Sequence, residues 1–241
     1  MSTNSALPVG ILFPMEFEAE PIWRKMRGAS RMEEGLETKR GQWSNTEIIS
    51  ARTGMGHAGL TEKVGCWLKK NPCRAVVLAG LAGALDLAWE EGDLTSFRSE
   101  DWNEFHQWSK MHPKVRPGKW HTAREIIATG EAKIALGKRT GCGIVEMEWD
   151  YVAKACYEQG VPLVGLRGVS DRADKLLPAD LFLLGCDAVT GKSTPMKIVL
   201  HLAVRPWRLI ELLPAVSGCT RARNEVSRAL EEFLDGLSRS K

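Results

Sequence analysis

Two groups of carboxylates flank a helix-and-strand pattern in the second half of the chain. Glu146 and Glu148 precede residues of helical spacing, and Ser170, Asp171 and Asp174 follow an apolar run. In open α/β sheets, ligands bind beyond the carboxyl ends of the strands, which is where Asp171 falls. A carboxyl group at a half-buried strand end can act as a general acid. The alternative is structural, because acidic residues favour helix N-termini and Asp caps turns.

The elements that must position these carboxylates can be predicted from the pattern between them. Apolar residues at helical spacing predict a helix of about three turns that begins near residue 149. Gly160 is placed to stop this helix, and Pro162 prevents its resumption. Residues 163 to 169 are nearly all apolar, which is typical of a strand buried on both faces. A helix that leads into a buried strand is half of a βαβ unit and predicts an α/β fold.

The sequence words in this stretch resemble those of a known superfamily. Val-Glu-Met-Glu at 145–148 and Val-Pro-Leu-Val-Gly-Leu-Arg-Gly-Val-Ser-Asp-Arg-Ala-Asp at 161–174 resemble the nucleoside phosphorylase/nucleosidase superfamily. The nearest well-known pattern is that of the 5'-methylthioadenosine/S-adenosylhomocysteine nucleosidases, Val-Glu-Met-Glu-Ala and Val-Arg-Ala-Ile-Ser-Asp-x-Ala-Asp. The resemblance implies a single-domain phosphorylase/nucleosidase-like α/β fold, a mixed twisted central sheet flanked by helices. We expect one domain over residues 1–241, with a C-terminal helical extension from about 195 to 241.

The resemblance also implies roles for individual residues. Met147 and Glu148 match the family residues that hold the ribose, and Asp171 matches the residue that protonates the purine. Ser170 and Arg167 match the residues that position this Asp. Cleavage of an N-glycosidic bond gives a sugar with oxocarbenium character and a purine leaving group. An acid at the base and a carboxylate at the sugar both assist that reaction.

A third carboxylate comes from the N-terminal part of the chain. The sequence Pro-Met-Glu-Phe-Glu at 14–18 follows an apolar strand pattern at 9–13. It resembles the family's Gly-Ile-Ile-Gly-Ala-Met-Glu-x-Glu, although Phe13-Pro14 replaces Gly-Ala. The match implies that Glu18 activates the attacking water. The alternative is an acidic first turn that favours the helix dipole.

A glycine-rich loop at 54–59 fits the G-x-G-x-x-G pattern after a strand. A dinucleotide fingerprint requires an acidic residue near the end of the next strand, and the apolar run at 75–79 leads into Gly80 instead. A dinucleotide site is therefore disfavoured. The loop resembles the family's Ser-Gly-Ile-Gly-x, and Arg52 and Gly54 are predicted on the phosphate or water side of the site. The alternative is that the glycines only form a tight strand-to-helix turn.

The following strand pattern resembles the family's Asn-Thr-Gly-Ser-Ala-Gly-Gly-Leu. The resemblance implies that Gly80 and Leu81 contact the substrate, and Leu81 stands where the family has Ser. Water and phosphate both remain open as the nucleophile. We expect no cofactor other than inorganic phosphate as a co-substrate, and no metal.

The C-terminal part resembles one branch of the superfamily, the hopanoid-associated phosphorylases. They share a Leu-x-Arg-Pro-x-x-Leu-x-x-Leu-Leu pattern, which residues 202 to 213 resemble with one extra residue before the Arg-Pro pair. The branch implies release of adenine from a lipid-linked adenosine such as adenosylhopane. One alternative is a 5'-methylthioadenosine/S-adenosylhomocysteine nucleosidase. Another is a non-catalytic protein that binds a nucleoside or a lipid.

Composition narrows the class of protein. With 241 residues and 44% apolar residues, the chain can bury the core of one large α/β domain. The net charge of +3 is too small to indicate nucleic acid, and six cysteines without C-x-x-C spacing indicate reduced thiols. No signal peptide is recognised, and no run approaches the roughly 20 apolar residues of a transmembrane helix. We expect a cytoplasmic homo-oligomer that acts on a small nucleoside or a lipid-linked nucleoside.

Two segments of the chain allow more than one interpretation of their role. Aromatic and basic residues at 97–121 predict a substrate-site loop or an oligomer contact rather than a nucleic-acid surface. The apolar stretch at 195–213 is expected to pack on the sheet or between subunits. The alternative for this stretch is peripheral contact with a membrane.

Overall fold

The computed structural model describes residues 7–26, 28 and 30–239. Within them, ten strands form one mixed sheet. The strands are β1 Val9–Phe13, β2 Ser30–Glu33, β3 Leu36–Trp43, β4 Thr46–Arg52, β5 Ala75–Ala84, β6 Leu94–Phe97, β7 Val115–Pro117, β8 Trp120–Thr122, β9 Ile144–Glu146 and β10 Leu163–Asp171.

Eight α-helices surround this sheet in the described part of the chain. They are α1 Glu16–Lys25, α2 Leu60–Lys70, α3 Asn103–Met111, α4 Gly130–Thr140, α5 Trp149–Glu158, α6 Ala179–Gly185, α7 Pro195–Val204 and α8 Leu209–Arg239. Two buried apolar clusters lie on the two faces of the central strands, so helices cover both faces. The predicted α/β fold with a mixed central sheet is confirmed.

Four adjacent parallel strands form the centre of the sheet. Their order is β4-β1-β5-β10, and the antiparallel β6 lies beside β10. All residues of β1 and β10 are buried, as their continuous apolar sequences predict. The carboxyl ends of these strands lie at one edge of the sheet, and residues of the predicted site lie in the last part of β5 and β10 or shortly after β1.

A β-bulge interrupts the pairing of β10 with β5. Arg167 lies opposite Gly80, whereas Asp171 lies opposite Gly83, because the register shifts between Val169 and Asp171. Side chains alternate between the faces of a strand, so residues four apart normally share a face. The extra residue reverses this alternation. Arg167 and Asp171 therefore point to opposite sides of the sheet.

Two secondary-structure predictions need correction. The apolar pattern of residues 125–129 predicts a strand, but the strand lies earlier, at β8, and the chain then leaves the sheet. The amphipathic pattern near the C-terminus predicts a final helix over about 217–237, but α8 begins at Leu209 and includes Pro214. Pro214 lies in the second turn, where it costs one backbone hydrogen bond without stopping a helix that packs on β10.

The aromatic residues of segment 97–121 belong mainly to the core. Trp102, Phe105 and Trp108 surround Phe233 of α8, with ring centroids 5.1 to 5.2 Å from the Phe233 ring. Such aromatic packing is a common way to dock a helix on a sheet. The expectation of a substrate-site loop in this segment is therefore wrong for these three rings.

Candidate active site

A cavity of about 480 Å³ lies at the carboxyl edge of β1, β5 and β10. Six of the residues singled out from the sequence line it, although they come from four distant parts of the chain: Glu18, Leu81, Met147, Glu148, Ser170 and Asp171. The sheet explains this convergence, because β1, β5 and β10 are parallel and present their carboxyl ends at the same edge, and the end of β9 pairs with β5 there.

Glu148 is buried beside the cavity with two hydrogen-bond donors. The backbone N–H of Gly56 donates to its Oε1 at 3.1 Å, and Arg167 Nη2 donates to its Oε2 at 2.8 Å. Burial raises the pKa of Glu148 well above its ordinary value, and the Arg167 guanidinium opposes that rise. A carboxylate offers about four acceptor positions, so two remain for a ligand.

The glycine at position 56 makes this contact possible. A Cβ there would lie 1.6 Å from the carbonyl oxygen of Met147. Only glycine lets the loop after β4 pass so close to the chain before α5. The central glycine of the G-x-G-x-x-G pattern thus allows two backbone segments to approach closely. This approach positions the Glu148 carboxylate and replaces the dinucleotide role that the pattern has elsewhere.

Glu146, in contrast, has a structural role. Its Oε2 accepts from the backbone N–H groups of Glu148 and Trp149 at 2.8 and 2.7 Å, and its Oε1 accepts from Thr122 Oγ1 at 2.6 Å. Arg167 Nη2 donates to the same Oε2 at 3.1 Å. Glu146 therefore caps the N-terminus of α5 and fixes the backbone that carries Met147 and Glu148.

Arg167 lies fully buried between Glu146 and Glu148 and does not contact Asp171. The prediction that it holds Asp171 is wrong, and the bulge in β10 is the physical reason. Arg167 Nε and Nη1 have no hydrogen-bond partner among the described residues. A Cβ on Gly80 would lie 2.5 Å from Nη1 and 2.8 Å from Glu18 Oε1. Gly80 therefore contributes the space in which Arg167 and Glu18 approach each other.

Glu18 enters the site from the first turn of α1. The backbone N–H of Leu81 donates to its Oε1 at 2.7 Å, and that of Met15 donates to its Oε2 at 2.8 Å. Burial raises the pKa of Glu18 to about 7, against the lowering effects of Arg167 and these two N–H groups. Glu18 can therefore exchange a proton near neutral pH, which is what a general base requires.

Asp171 is held by two side chains. Ser170 Oγ lies 2.6 Å from its Oδ1, and Lys133 Nζ donates to its Oδ2 at 2.5 Å. Sequence reasoning missed Lys133, which lies on α4 and is 38 positions away in the chain. The sequence did offer one indication, because Lys133 lies three positions before Leu136 on the same face of the predicted helix. These two are the buried residues of α4.

Arg52 and Gly54 do not reach the cavity. Arg52 Nη2 donates to Glu37 Oε2 at 2.5 Å, and its Nε donates to the carbonyl oxygen of Thr190 at 2.7 Å. A Cβ on Gly54 would lie 2.2 Å from the carbonyl oxygen of Val189. Both residues therefore fix the loop before α7, and the structure does not place them on a phosphate side of the site.

The rest of the cavity wall is strongly apolar. It comprises side chains from the loop after β8, from α6, and from α7 and α8: Ile126, Ile127, Leu181, Phe182, Ile198, Leu212 and Val216. Among the described residues, no group of three or more His, Cys, Asp or Glu side chains could hold a metal ion. In the same part of the chain, no helix is long and apolar enough to cross a membrane.

The fold and the carboxylate-lined strand edge define a class, the mixed α/β proteins that bind ligands at parallel strand ends. The family model of the phosphorylase superfamily matches residues 101–190. The 5'-methylthioadenosine/S-adenosylhomocysteine nucleosidase of Shewanella pealeana is 25% identical over 207 residues, covering 72% of this chain and 90% of the relative. The superfamily predicted from the motifs is confirmed by the family-model match over residues 101–190. Its hopanoid branch stays a prediction.

Solved structures confirm the fold. Futalosine hydrolase of Helicobacter pylori aligns with a TM-score of 0.69 at 19% identity, over 95% of this chain and 98% of that one. A mutant nucleosidase of the same organism with 5'-methylthioadenosine in its active site aligns with a TM-score of 0.70 at 17% identity, over 96% of this chain and 99% of that one. The Neisseria meningitidis nucleosidase in complex with methylthio-immucillin-A aligns with a TM-score of 0.70 at 16% identity, over 95% of this chain and 99% of that one.

Proposed function

We propose that this protein is an enzyme that cleaves the N-glycosidic bond of an adenosyl nucleoside and releases adenine. The observation that carries the proposal is the convergence of Glu18, Glu148 and Asp171 on one cavity, each from a different strand end. The superfamily match and the nucleosidase relatives support the reaction class.

Glu148 is proposed to hold the ribose. Its two free acceptor positions suit two adjacent hydroxyl groups, with Met147 lining the same part of the cavity. The carboxylate also places negative charge near the sugar as oxocarbenium character develops. Arg167 and the Gly56 N–H hold Glu148 in a fixed orientation, so little reorganisation accompanies the reaction.

Asp171 is proposed to take up a proton from solvent before the reaction and to deliver it to N7 of the purine. Ser170 and Lys133 occupy one acceptor position on each of its oxygens, and the remaining positions suit the N7 and 6-amino hydrogens of adenine. As the proton reaches N7, the bond between the base and the sugar carbon breaks and adenine leaves neutral. A 6-oxo purine would place an acceptor against the carboxylate, so adenosyl substrates are favoured.

Glu18 is proposed to activate the nucleophile. A water molecule beside it forms the new bond to the sugar carbon and passes a proton to the Glu18 carboxylate. Phosphate is the second candidate for this position, because Arg167 Nε and Nη1 lack partners among the described residues. With phosphate the product is a sugar phosphate instead of a free sugar.

The apolar wall favours a substrate with a large apolar 5' substituent. Ile198, Leu212 and Val216 line the cavity, and they lie on α7 and the first turns of α8, where several neighbouring apolar side chains are exposed. A lipid-linked adenosine such as adenosylhopane fits this environment. The alternative is a short 5' substituent, as in the substrates that name the curated relatives.

The same helices are proposed to contact a membrane surface. Met196, Val199, Leu200, Trp207 and Ile210 are exposed, which corrects the expectation that this stretch packs on the sheet. Residues 192–210 carry four basic side chains and no Asp or Glu. A second copy of the chain in symmetric contact would bring like charges together, whereas an anionic bilayer supplies complementary charge.

Chromatographic detection of free adenine tests the reaction. We would offer 5'-methylthioadenosine and an adenosine with a long alkyl 5' substituent, each with and without phosphate. Adenine release only with phosphate would establish a phosphorylase, and release in both conditions a hydrolase. Preference for the short substituent would contradict the lipid-linked substrate. Adenosine binding without any adenine release would contradict catalysis and support a binding protein.

Flotation with vesicles tests the membrane contact. We expect the protein to float with phosphatidylglycerol vesicles and to float less with phosphatidylcholine alone, because apolar burial and charge attraction both contribute. Failure to float with either composition would contradict the contact. A concentration-dependent dimer that excludes vesicles would show that a second copy covers this face instead.

A further inference from the structure

Lys133 is a buried cation that the proposed reaction does not use directly. Its side chain is 1% exposed. Its Nζ lies 2.5 Å from Asp171 Oδ2, 3.1 Å from the carbonyl oxygen of Arg172 and 2.8 Å from that of Lys175. Three acceptors match the three N–H donors of an ammonium group. The site is therefore built for a charged lysine rather than a neutral amine.

A purely structural role does not account for this choice of residue. Lysine is almost never fully buried unless it is paired with an opposite charge. Leu136, the other buried residue of α4, shows that this face of the helix packs in an apolar environment. An ammonium group there costs desolvation, which only the Asp171 carboxylate compensates with charge.

We propose that Lys133 is a positioning residue for Asp171. This inference rests on the proposed function. The ammonium group fixes Oδ2, so that the remaining acceptor positions of the carboxylate are held in one orientation at the cavity. When the proton has passed to the base, Asp171 is left as a carboxylate, and Lys133 stabilises that charge where it develops. The two contacts with carbonyl oxygens anchor the ammonium independently of the ligand.

A double-mutant cycle tests the proposal through two measurements. Lys133→Met, Asp171→Asn and the double variant are compared for kcat and KM of adenine release, and for the dissociation constant of adenine by titration calorimetry. Lys133→Met leaves Asp171 buried without a cation, so it can fold poorly. The double variant removes both charges and avoids that problem. Lys138→Met is the matched control, because Lys138 is exposed on the same helix.

Lys133→Met is expected to lower kcat at least about tenfold, within the range ascribed to a general acid, and to change KM less than about threefold. In the Asp171→Asn background the same change is expected to have less than about a twofold effect, because Lys133 acts through Asp171. The affinity for adenine should follow the same non-additive pattern, and Lys138→Met should match the wild type.

Other outcomes overturn the proposal. A kcat of Lys133→Met within about twofold of wild type would mean that Asp171 needs no counter-charge. Equal losses in both backgrounds would mean that Lys133 only stabilises the fold. If the wild type releases no adenine, the proposed function fails, and the adenine-binding cycle then decides separately whether Lys133 acts through Asp171.

Discussion

Two regions meet at the cavity and differ in almost every physical respect. At the strand ends, Glu18, Glu148 and Arg167 are buried and each is held by several named contacts. On α7 and the start of α8, apolar side chains face outward and contribute little to the core. In the proposed reaction, the first region fixes the geometry of bond cleavage. The second region forms the apolar wall that we propose faces the 5' side of the substrate.

The energetic consequences of the two arrangements are opposite. Removing one partner of a buried ion pair leaves an uncompensated charge, which costs about 3–5 kcal/mol. A substitution at an exposed position usually changes stability by less than about 0.5 kcal/mol. Changes at the strand ends should therefore affect both folding and catalysis, whereas changes on α7 should affect only what the protein binds.

The largest effect is expected from Asp171→Asn. The amide cannot donate a proton as a carboxylic acid does, so adenine release should fall by about 10²- to 10⁴-fold. Asp174→Asn is the matched control, because Asp174 lies in the same motif but is exposed and pairs with Arg172. Adenine release by Asp171→Asn within about tenfold of wild type would show that the strand-end acid is dispensable.

A large loss of stability is expected from Gly56→Ala. The added Cβ would meet the carbonyl oxygen of Met147 at 1.6 Å, so the backbone must move. We expect a loss of about 1–3 kcal/mol and weaker nucleoside binding, measured by urea unfolding and calorimetry. Gly65→Ala is the control: a Cβ there has no neighbour within 4 Å, and alanine favours the helix. Equal stability of the two variants would contradict the close approach.

The third effect is a pH dependence set by Glu18. Its pKa of about 7 means that the base is lost as pH falls below neutrality, so kcat/KM should decline on the acid side of about pH 7. A raised carboxyl pKa also means that the folded state binds more protons than the unfolded state. Stability should therefore fall as pH rises from about 4.5 to 7, and Glu18→Gln should flatten that fall.

Glu20→Gln serves as the control for this pH dependence, because Glu20 lies on the same helix and is exposed. It should leave both profiles unchanged. Adenine release that stays constant from pH 8 to pH 5 would remove Glu18 from the proposed mechanism.

The smallest effect on catalysis is expected from Ile210→Asp. Ile210 is 79% exposed, so the change should leave folding intact and release of adenine from 5'-methylthioadenosine within about twofold of wild type. Flotation with anionic vesicles should decrease sharply. Met111→Asp is matched in exposure at 77%, lies on α3, and should float as the wild type does. A large loss of turnover in Ile210→Asp would break the division between the two regions.

The motifs located the carboxylates of the site, and Ser170 beside Asp171, but not the other side chains that hold them. Glu148 and Asp171 could be located because they lie in short sequence words at the ends of recognisable elements. Lys133 could not, because its partner is 38 positions away and helix periodicity does not show which strand end a helix faces. Arg167 was assigned to the wrong partner because a sequence does not reveal a β-bulge. The exposure of α7 contradicts packing on the sheet, which its apolar helical pattern favoured, whereas packing between subunits stays a prediction.

The bulge at Ser170 has a consequence for how the chain can change in length. Before it, β10 presents Arg167 to one side of the sheet, and after it Asp171 to the other. Deleting Ser170 would restore regular alternation and leave Asp171 opposite Gly83, so the acid would keep its present side. The deletion would instead remove the hydroxyl group that contacts Asp171 Oδ1. The bulged residue therefore accommodates a hydrogen-bonding side chain beside the acid without changing the side to which the acid points.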